Sequence, residues 1–231
     1  MSVRLHLVVE GQTEETYVNR VLVPHLAAHG VWADARAVET GRRGCLVRRG
    51  GLREYARLRG DLVRWMKQDD HPDVFFTTMI DLCGLGLLRD TFPGWDEAKS
   101  IPDPYRRVAA LQDGFGRDVR HCRFIPYLQL HEFEALLLAS PGHLRVEFIG
   151  HDREIGELES LAASFASPEP INDGTNASPS KRIIAKLPQY AGLKATAGPI
   201  VAMKIGLAAL REKCPHFAEW LSRLEKLGVE T

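Results

Sequence analysis

Acidic side chains stand at the ends of three short apolar runs in this chain. The acids that follow these runs are Glu10, Asp81, and Glu132 with Glu134. Apolar, β-branched runs of this length are typical of strands that are buried on both faces of a parallel sheet. Because the carboxyl ends of parallel strands meet at one edge of the sheet, we expect these acids to lie close together there.

Carboxylates that meet at a buried sheet edge repel one another unless they are paired or bound to a cation. Mg²⁺ is a hard cation that takes oxygen ligands, typically a few carboxylates together with several waters. The sequence therefore predicts a site for Mg²⁺, or for Mn²⁺, at this edge. The candidate ligands are Glu10, Asp81, Glu132 and Glu134.

Three further observations allow both a functional and a structural interpretation. Glu14 is a candidate catalytic residue beside Glu10, but it also lies in the first turn of a predicted helix, where an acid complements the helix dipole. The same first-turn explanation applies to Glu132. His131 either takes part in the site or is a hydrogen-bonded residue at a strand end.

The segments between these acids alternate between strand and helix patterns. A helix follows Glu10, with Thr13 as its predicted N-cap and Gly30 as its end. The predicted strands span 3–9, 74–80 and 123–130, with a weaker candidate at 33–38. The other predicted helices span 52–67, 105–119, 154–165, 180–187, 200–213 and 216–227, and one more starts at 131. We expect a mobile loop over 41–51 and an irregular stretch with at most one short helix over 82–104.

This alternation predicts an α/β domain over residues 1–140, with a mostly parallel sheet flanked by helices. After residue 140 the pattern becomes helical, so residues 141–231 are expected to form a C-terminal helical extension packed on that domain. Apolar residues make up 45% of the 231 residues, which is enough for a buried core.

The charge of the chain is balanced overall but not locally. With 30 basic and 30 acidic residues the net charge is zero, which gives no support for nucleic-acid binding. Between residues 42 and 67, however, nine basic residues accompany two acids, an excess that can meet phosphates. Arg53, Arg57 and Arg64 share the face opposite the apolar face of the predicted helix. They form either a solvated surface or a stripe that follows a phosphate backbone.

A second candidate phosphate contact lies at the start of the predicted helix 180–187. Lys181 and Arg182 follow Ser180 there. A helix N-terminus with two cations is suited to a phosphate group. The alternative is an ordinary helix cap with surface charges.

The cysteines and the apolar runs bear on the compartment. None of the four cysteines forms a CxxC pair or fits a zinc-site spacing. We expect no stretch to provide the roughly 18 apolar residues that a membrane span needs. The N-terminus has no signal-peptide pattern. We therefore predict a cytoplasmic protein with reduced cysteines and no membrane partner.

Several segments of the chain resemble motifs of the Toprim family. LVVEGQTEE resembles the first Toprim motif, and TTMIDLCGL stands where the second, aspartate-bearing motif is expected. PYLQLHEFEALLL, INDG, PSKRI and CPHFAEWL resemble segments of small standalone bacterial Toprim-like proteins, so the resemblance covers nearly the whole chain. It implies a Toprim-like, Rossmann-like fold, as in topoisomerases, primases and the overcoming-lysogenization-defect nucleases.

The resemblance also implies roles for the acids. Glu10 matches the glutamate that acts as a general acid or base, and Asp81 matches the first aspartate that binds Mg²⁺. Toprim proteins usually carry Asp-x-Asp, whereas Cys83 stands at the second position here. The candidates for the missing carboxylate are Glu134 and, beside it, Glu132 or Glu14.

These observations lead to three functional hypotheses. The first is a metal-dependent phosphodiesterase or nuclease that acts on DNA or RNA. The resemblance also implies an ATPase partner, because similar proteins are often encoded beside ATPases in phage-defence loci. The second is a non-catalytic regulatory or assembly subunit that binds such an ATPase, which Cys83 favours. The third is a phosphoryl-transfer enzyme for a small nucleotide, which a closed pocket would favour. A homodimer is compatible with each.

Overall fold

The computed structural model describes residues 3–43, 46–49, 54–83, 91–171 and 178–229, with the backbone alone at 39–43 and 46–49. All the acids of the predicted site fall within these ranges, as do Lys181 and Arg182. Arg53, one of the predicted phosphate-binding residues, lies outside the described residues.

The strands confirm the predicted α/β fold with a mostly parallel sheet. In chain order they are β1 Val3–Val9, β2 Val31–Ala37, β3 Glu39–Arg43, β4 Leu46–Arg49, β5 Val74–Asp81, β6 Phe124–Ile125 and β7 Leu128–Gln129. Five of them form one sheet in the order β2–β1–β5–β6, and β7 pairs with the end of β5. All pairings in this sheet are parallel. β3 and β4 form a separate antiparallel pair.

Helices cover both faces of the sheet. In chain order they are α1 Gln12–Tyr17, α2 Val23–Ala27, α3 Tyr55–Gln68, α4 Trp95–Ala98, α5 Pro104–Val119, α6 Glu134–Leu137, α7 Asp152–Ala163, α8 Pro179–Lys186, α9 Tyr190–Lys213 and α10 Pro215–Lys226. A π-helical segment, Val18–Leu22, joins α1 to α2. One apolar core lies between the sheet, α1, α2 and the later helices, and a second lies between the sheet and α3 to α5.

The last predicted strand is divided into two short strands, β6 and β7. Pro126 lies between them and has no amide hydrogen to donate to a ladder. Side chains of β5 connect across this interruption. Thr77 Oγ1 donates to the carbonyl of Ile125 over 2.6 Å. Thr78 Oγ1 donates to the carbonyl of Tyr127 over 2.7 Å. The segment therefore follows β5 to its end although its own ladder is broken.

Two other local predictions are wrong. The helix after β1 begins at Gln12, and its N-cap is Gly11 rather than Thr13. The amide of Gly11 donates to the side chain of Glu14 over 2.9 Å, which fixes this end of the helix. The loop predicted over 41–51 contains the paired strands β3 and β4 in its described part. These strands are only five and four residues long, too short for a clear alternating pattern.

Helix α9 is longer than the sequence predicted. It begins at Tyr190 rather than at residue 200, runs through Pro199 and is kinked at Gly206, where φ is 79°. Of the described helices it alone is long and apolar enough to cross a membrane by length and composition, which the sequence prediction missed. Much of its apolar surface packs in the first core. Helices in the core of soluble proteins can have this length and composition as well.

The helices after residue 140 are bonded to the sheet as well as packed on it. Trp220 Nε1 on α10 donates to Thr77 Oγ1 on β5 over 3.0 Å. The ring of Trp220 also stacks on Tyr127, with ring centroids 4.1 Å apart. The division of the chain into two units near residue 140 stays a prediction.

A buried histidine on β1 is held by two aspartates. His6 Nε2 lies 2.9 Å from Asp69 Oδ2, and His6 Nδ1 contacts Asp34. The ring also stacks on Trp65, with centroids 4.3 Å apart. Burial alone would lower the pKa of His6, but the hydrogen bonds with Asp34 and Asp69 raise it overall. The folded protein therefore favours protonated His6.

This arrangement predicts a pH-dependent contribution to stability. Because folding raises the pKa of His6, its contribution is complete below the unfolded value of 6.5 and is lost as pH rises through the folded value. We expect the difference in free energy of unfolding between wild type and His6→Gln to be largest below pH 6.5 and to shrink as the pH rises above it. Urea denaturation measures this difference, and His71→Gln at an exposed site is the matched control. A difference that stays constant would show that the aspartates do not hold a protonated ring.

Candidate metal centre

Glu10 and Asp81 are neighbours at one edge of the sheet. Glu10 directly follows β1 and Asp81 ends β5, and these two strands are paired in parallel. The backbone amide of Asp81 donates to Glu10 Oε2 over 3.1 Å. The amide of Glu10 continues the ladder by donating to the carbonyl of Met79 over 3.2 Å. The backbone of the sheet thus fixes the positions of both acids.

The first turn of α1 brings a third carboxylate to this edge. Glu14 is buried, with 6% of its surface exposed. Its Oε2 accepts the hydrogen bond from the amide of Gly11, the residue that follows Glu10. Because α1 begins directly after this glycine, its first turn lies at the end of β1.

The chain after β7 brings a fourth carboxylate. The amide of Cys83 donates to the carbonyl of His131 over 2.8 Å, so the two chain segments run side by side beyond β5 and β7. His131 has a φ of 67°, in the left-handed region that residues other than glycine rarely adopt. α6 then begins at Glu134, three residues later than predicted, and Glu134 is buried with 5% exposure. His131 thus forms the turn, and its Nδ1 lies 4.0 Å from Cys83 Sγ.

We refer to Glu10, Glu14, Asp81 and Glu134 as the acidic cluster. Burial raises the pKa of Glu14 to about 7, and the charges of Glu10 and Glu134 contribute to this shift. Burial also raises the pKa of Asp81 well above its ordinary value, with further contributions from the other three acids. Such mutual effects require short distances. The structure therefore brings these four predicted residues together.

Helix α9 contributes two groups that the sequence analysis missed. Lys194 Nζ lies 3.2 Å from Glu134 Oε1, and the hydroxyl of Tyr190 donates to the same oxygen over 3.2 Å. Burial raises the pKa of Glu134 overall, although Lys194 acts in the opposite direction. Gly198 leaves room for this contact, because a Cβ there would lie 3.2 Å from the Tyr190 hydroxyl.

A correct prediction of where α9 begins would have identified these two residues. Tyr190 and Lys194 are four residues apart, so they share one face of a helix. The sequence prediction began this helix directly after Pro199, which left both residues outside any element. A helix that begins at residue 190 places the hydroxyl of Tyr190 and the ammonium of Lys194 on one face.

Glu132 contacts a helix terminus. Its Oε2 accepts a hydrogen bond from the backbone amide of Ser180, in the first turn of α8, over 2.9 Å. An acid at this position complements the helix dipole. The predicted phosphate contact of Lys181 and Arg182 uses the same terminus, where Glu132 already accepts from one amide. Their phosphate-binding role stays a prediction.

The acidic cluster offers the donors that a hard divalent cation takes. Its four side chains supply carboxylate oxygens, the ligand class that Mg²⁺ and Mn²⁺ prefer. Asp81 Oδ1 is buried and has no hydrogen-bond partner among the described residues. Leaving such an acceptor unpaired costs about 1–3 kcal/mol, and more when the group is charged. A cation would satisfy this oxygen, so the residues fit Mg²⁺ or Mn²⁺.

The described arginines of the predicted phosphate-binding stripe lie on α3. Arg57 and Arg64 each pair with an acid one turn earlier, at nitrogen–oxygen distances of 3.0 Å. Arg64 also lines a small cavity of about 120 Å³ together with Arg36 and Val8. Val8 is near the end of β1, so this cavity lies toward the sheet edge that carries the acidic cluster.

A larger cavity, of about 480 Å³, lies between α5 and α10. Its described wall includes Tyr105, Gln112, His216 and Trp220 and no member of the acidic cluster. The small-nucleotide hypothesis would be favoured by a closed pocket at the cluster. This cavity does not provide one.

Comparisons with known proteins give one matching family model and two solved structures of low similarity to this chain. A family model described as a domain of unknown function, DUF4276, matches residues 9–225. The C-terminal region of the Burkholderia pseudomallei OLD protein is 12% identical, with a TM-score of 0.46 over 99% of this chain and 100% of that chain. The C-terminal region of the Xanthomonas campestris pv. campestris OLD protein is 14% identical, with a TM-score of 0.37 over 96% and 97%. No curated protein sequence matches the chain.

The geometry of the acidic cluster predicts coupled titration. Glu134→Gln removes one of the charges that raise the pKa of Glu14, so this pKa should fall below about 7. It should stay above the ordinary value of 4.5, because burial is the larger cause. NMR titration of ¹³C-labelled carboxyl groups measures the change. Glu97→Gln on α4 is the matched control, since the side chain of Glu97 is 69% exposed and pairs with Arg117. Equal shifts in the two variants would contradict the proximity of Glu134 to Glu14.

Proposed function

This chain belongs to the DUF4276 family, and we propose that it is a metal-dependent phosphodiester hydrolase that acts on nucleic acid. One observation supports the proposal above all. Four carboxylates meet at one sheet edge, where Asp81 Oδ1 is buried with no hydrogen-bond partner among the described residues. Mg²⁺ or Mn²⁺ would be held by Glu10, Asp81 and Glu134. Glu132, two residues before Glu134, is a further candidate ligand. The Toprim-like motifs support the same site.

Glu10 and Glu14 have different roles in the proposed hydrolysis. A bound Mg²⁺ ion supplies charge neutralisation at the phosphate and a more acidic water. Glu10 accepts a proton as a water oxygen bonds to phosphorus. The phosphorus–oxygen bond to the departing sugar breaks, and that oxygen takes a proton from Glu14.

The groups on α9 serve the site by positioning. Lys194 and Tyr190 both contact Glu134 Oε1, which limits the orientations of this carboxylate. The charge of Lys194 also favours the ionised form of Glu134, the form that binds a cation. These two residues therefore prepare a ligand without acting on the substrate.

Nucleic acid, either DNA or RNA, is the proposed substrate class, and the excess of basic residues between 42 and 67 and the Toprim-like motifs support it. The proposed phosphate-binding residues are Arg53, Arg57, Arg64, Lys181 and Arg182. The cavity that holds Arg36 and Arg64 is near the end of β1, within the same region of the sheet edge. Binding through such residues follows the phosphate backbone, so it should be sequence-tolerant and weaken with salt.

A second candidate function is a non-catalytic subunit that binds a partner ATPase. The observation that favours it is Cys83, which stands where Toprim-like proteins carry a second aspartate and whose Sγ lies 4.0 Å from His131 Nδ1. In this alternative the acidic cluster holds a cation for structural reasons. A cytoplasmic location and a homodimer are compatible with both functions.

Metal binding and folding stability should respond in opposite directions to Asp81→Asn. Without metal, the variant lacks a buried, repelled carboxylate, so its free energy of unfolding should exceed that of wild type by about 1–3 kcal/mol at neutral pH. With millimolar Mg²⁺ or Mn²⁺, wild type should gain stability and the variant should not. Calorimetry and urea denaturation measure both effects.

Asp96→Asn is the matched control for this test, since Asp96 is 90% exposed on α4. It should bind Mg²⁺ as wild type does and should unfold at the same urea concentration. Equal Mg²⁺ binding by wild type and Asp81→Asn would remove the acidic cluster as the metal site.

Hydrolysis itself should depend on Glu10. With Mn²⁺ or Mg²⁺ and single- or double-stranded DNA and RNA, we expect Glu10→Gln to lower the cleavage rate by about 10²-fold or more. Glu97→Gln, at a position whose side chain is 69% exposed, should leave the rate unchanged. Gel-based cleavage assays at low and moderate salt measure these rates. Tight metal binding without cleavage of any of these substrates would favour the non-catalytic function.

A further inference from the structure

A second group of metal-ligand side chains lies away from the acidic cluster. His25, His29 and Glu225 offer ligand atoms that all lie within 4.8 Å of one another. His25 is in α2, His29 is in the turn that follows it, and Glu225 is near the end of α10. Histidines four residues apart in a helical turn face the same side, as in helical zinc-binding pairs. The fold brings the glutamate to them from 200 residues away.

Two glycines allow these helix ends to approach closely. A Cβ at Gly228 would lie 1.9 Å from the carbonyl oxygen of His29, a distance that no side chain tolerates. Gly30 has a φ of 77°, in the left-handed region that favours glycine. The backbones at the ends of α2 and α10 are therefore in contact. This contact fixes the position of Glu225 against His25.

The hydrogen bonds of the two rings suit metal ligation. His29 Nδ1 lies 3.0 Å from the carbonyl oxygen of His25, so it donates there and leaves Nε2 able to bind a metal. Metal-binding histidines usually donate their other ring nitrogen to a carbonyl or carboxylate in this way. His25 Nε2 lies 2.6 Å from Glu225 Oε1, where a cation would replace the shared proton. The side chains of His25 and Glu225 are 26% and 13% exposed, so an ion could enter from solvent.

A neighbouring arginine limits the affinity of this group for a cation. Arg211 contacts Glu225 Oε1 and also donates to Ser222 Oγ over 2.8 Å. Burial tends to raise the pKa of Glu225, but the hydrogen bonds from Arg211 and His25 lower it overall. The carboxylate is therefore ionised and oriented at neutral pH. The positive charge of Arg211 opposes a cation, so binding should be weaker than at a closed structural site.

We propose that His25, His29 and Glu225 bind Zn²⁺ and that this ion joins the end of α2 to the end of α10. Two imidazoles and one carboxylate are a ligand set that zinc takes, with water at the fourth position. The acidic cluster, which offers oxygen donors alone, suits Mg²⁺ or Mn²⁺ instead. The two sites would thus select different ions. The proposal does not depend on hydrolysis at the acidic cluster.

The test uses the full chain, stripped of metal with a chelator and then titrated with Zn²⁺ against a competing chromogenic chelator. We expect one Zn²⁺ per chain, with affinity reduced about 10-fold or more in His25→Gln and in His29→Gln. Co²⁺ should give the strong visible absorption of a tetrahedral site in wild type and not in either variant. His29 is exposed, so His29→Gln should fold normally, which circular dichroism and urea denaturation verify.

Two matched variants separate this site from the rest of the protein. His71→Gln removes an exposed histidine elsewhere, and Asp81→Asn removes a carboxylate of the acidic cluster. Both should keep the Zn²⁺ affinity of wild type. The same affinity in wild type, His25→Gln and His29→Gln would overturn the proposal. Loss of Zn²⁺ binding in Asp81→Asn alone would overturn it as well, by assigning zinc to the acidic cluster.

Discussion

Repulsion between the carboxylates of the acidic cluster at one sheet edge is the constraint that the rest of the fold must offset. Parallel strands direct their carboxyl ends to the same edge, so Glu10 and Asp81 are neighbours by strand order. Burial then raises the pKa of Asp81 well above its ordinary value. The surrounding fold opposes this repulsion with backbone amides and with one lysine. It leaves one oxygen of Asp81 without a partner among the described residues, and that oxygen is the natural position for a cation.

The helices after residue 140 supply groups that offset the repulsion between these carboxylates. α9 supplies the lysine and the tyrosine hydroxyl that contact Glu134. α8 is bound by Glu132 through the amide of Ser180, and α10 is bonded to β5 through Trp220. The charge that opposes the repulsion therefore comes from sequence more than fifty residues beyond the last strand. A chain that lacked these helices would keep the acids and lose their countercharge.

The sequence predicted features that depend on short stretches and missed those that depend on contacts between distant residues. The strands that end at Glu10 and Asp81 were predictable, because an apolar run followed at once by an acid is a local signal. Lys194 was missed because its partner lies sixty residues earlier in the chain. The group of His25, His29 and Glu225 was missed for the same reason. Pro126 is a local signal as well: proline cannot donate to a ladder, so it favours a break within the predicted strand 123–130.

The strand break at Pro126 has a consequence for how this protein can assemble. A sheet edge recruits another chain when it presents a long row of free backbone donors and acceptors. Here the edge consists of two strands of two residues each. Two residues separate them, Pro126, which cannot donate, and Tyr127, whose amide donates to Thr78 Oγ1. We expect this edge to resist strand addition and the amyloid-like stacking that follows from it. A protein that binds at this edge must then be recognised through side-chain contacts. Its specificity would depend on the side chains of both proteins, because backbone hydrogen bonds at this edge are interrupted.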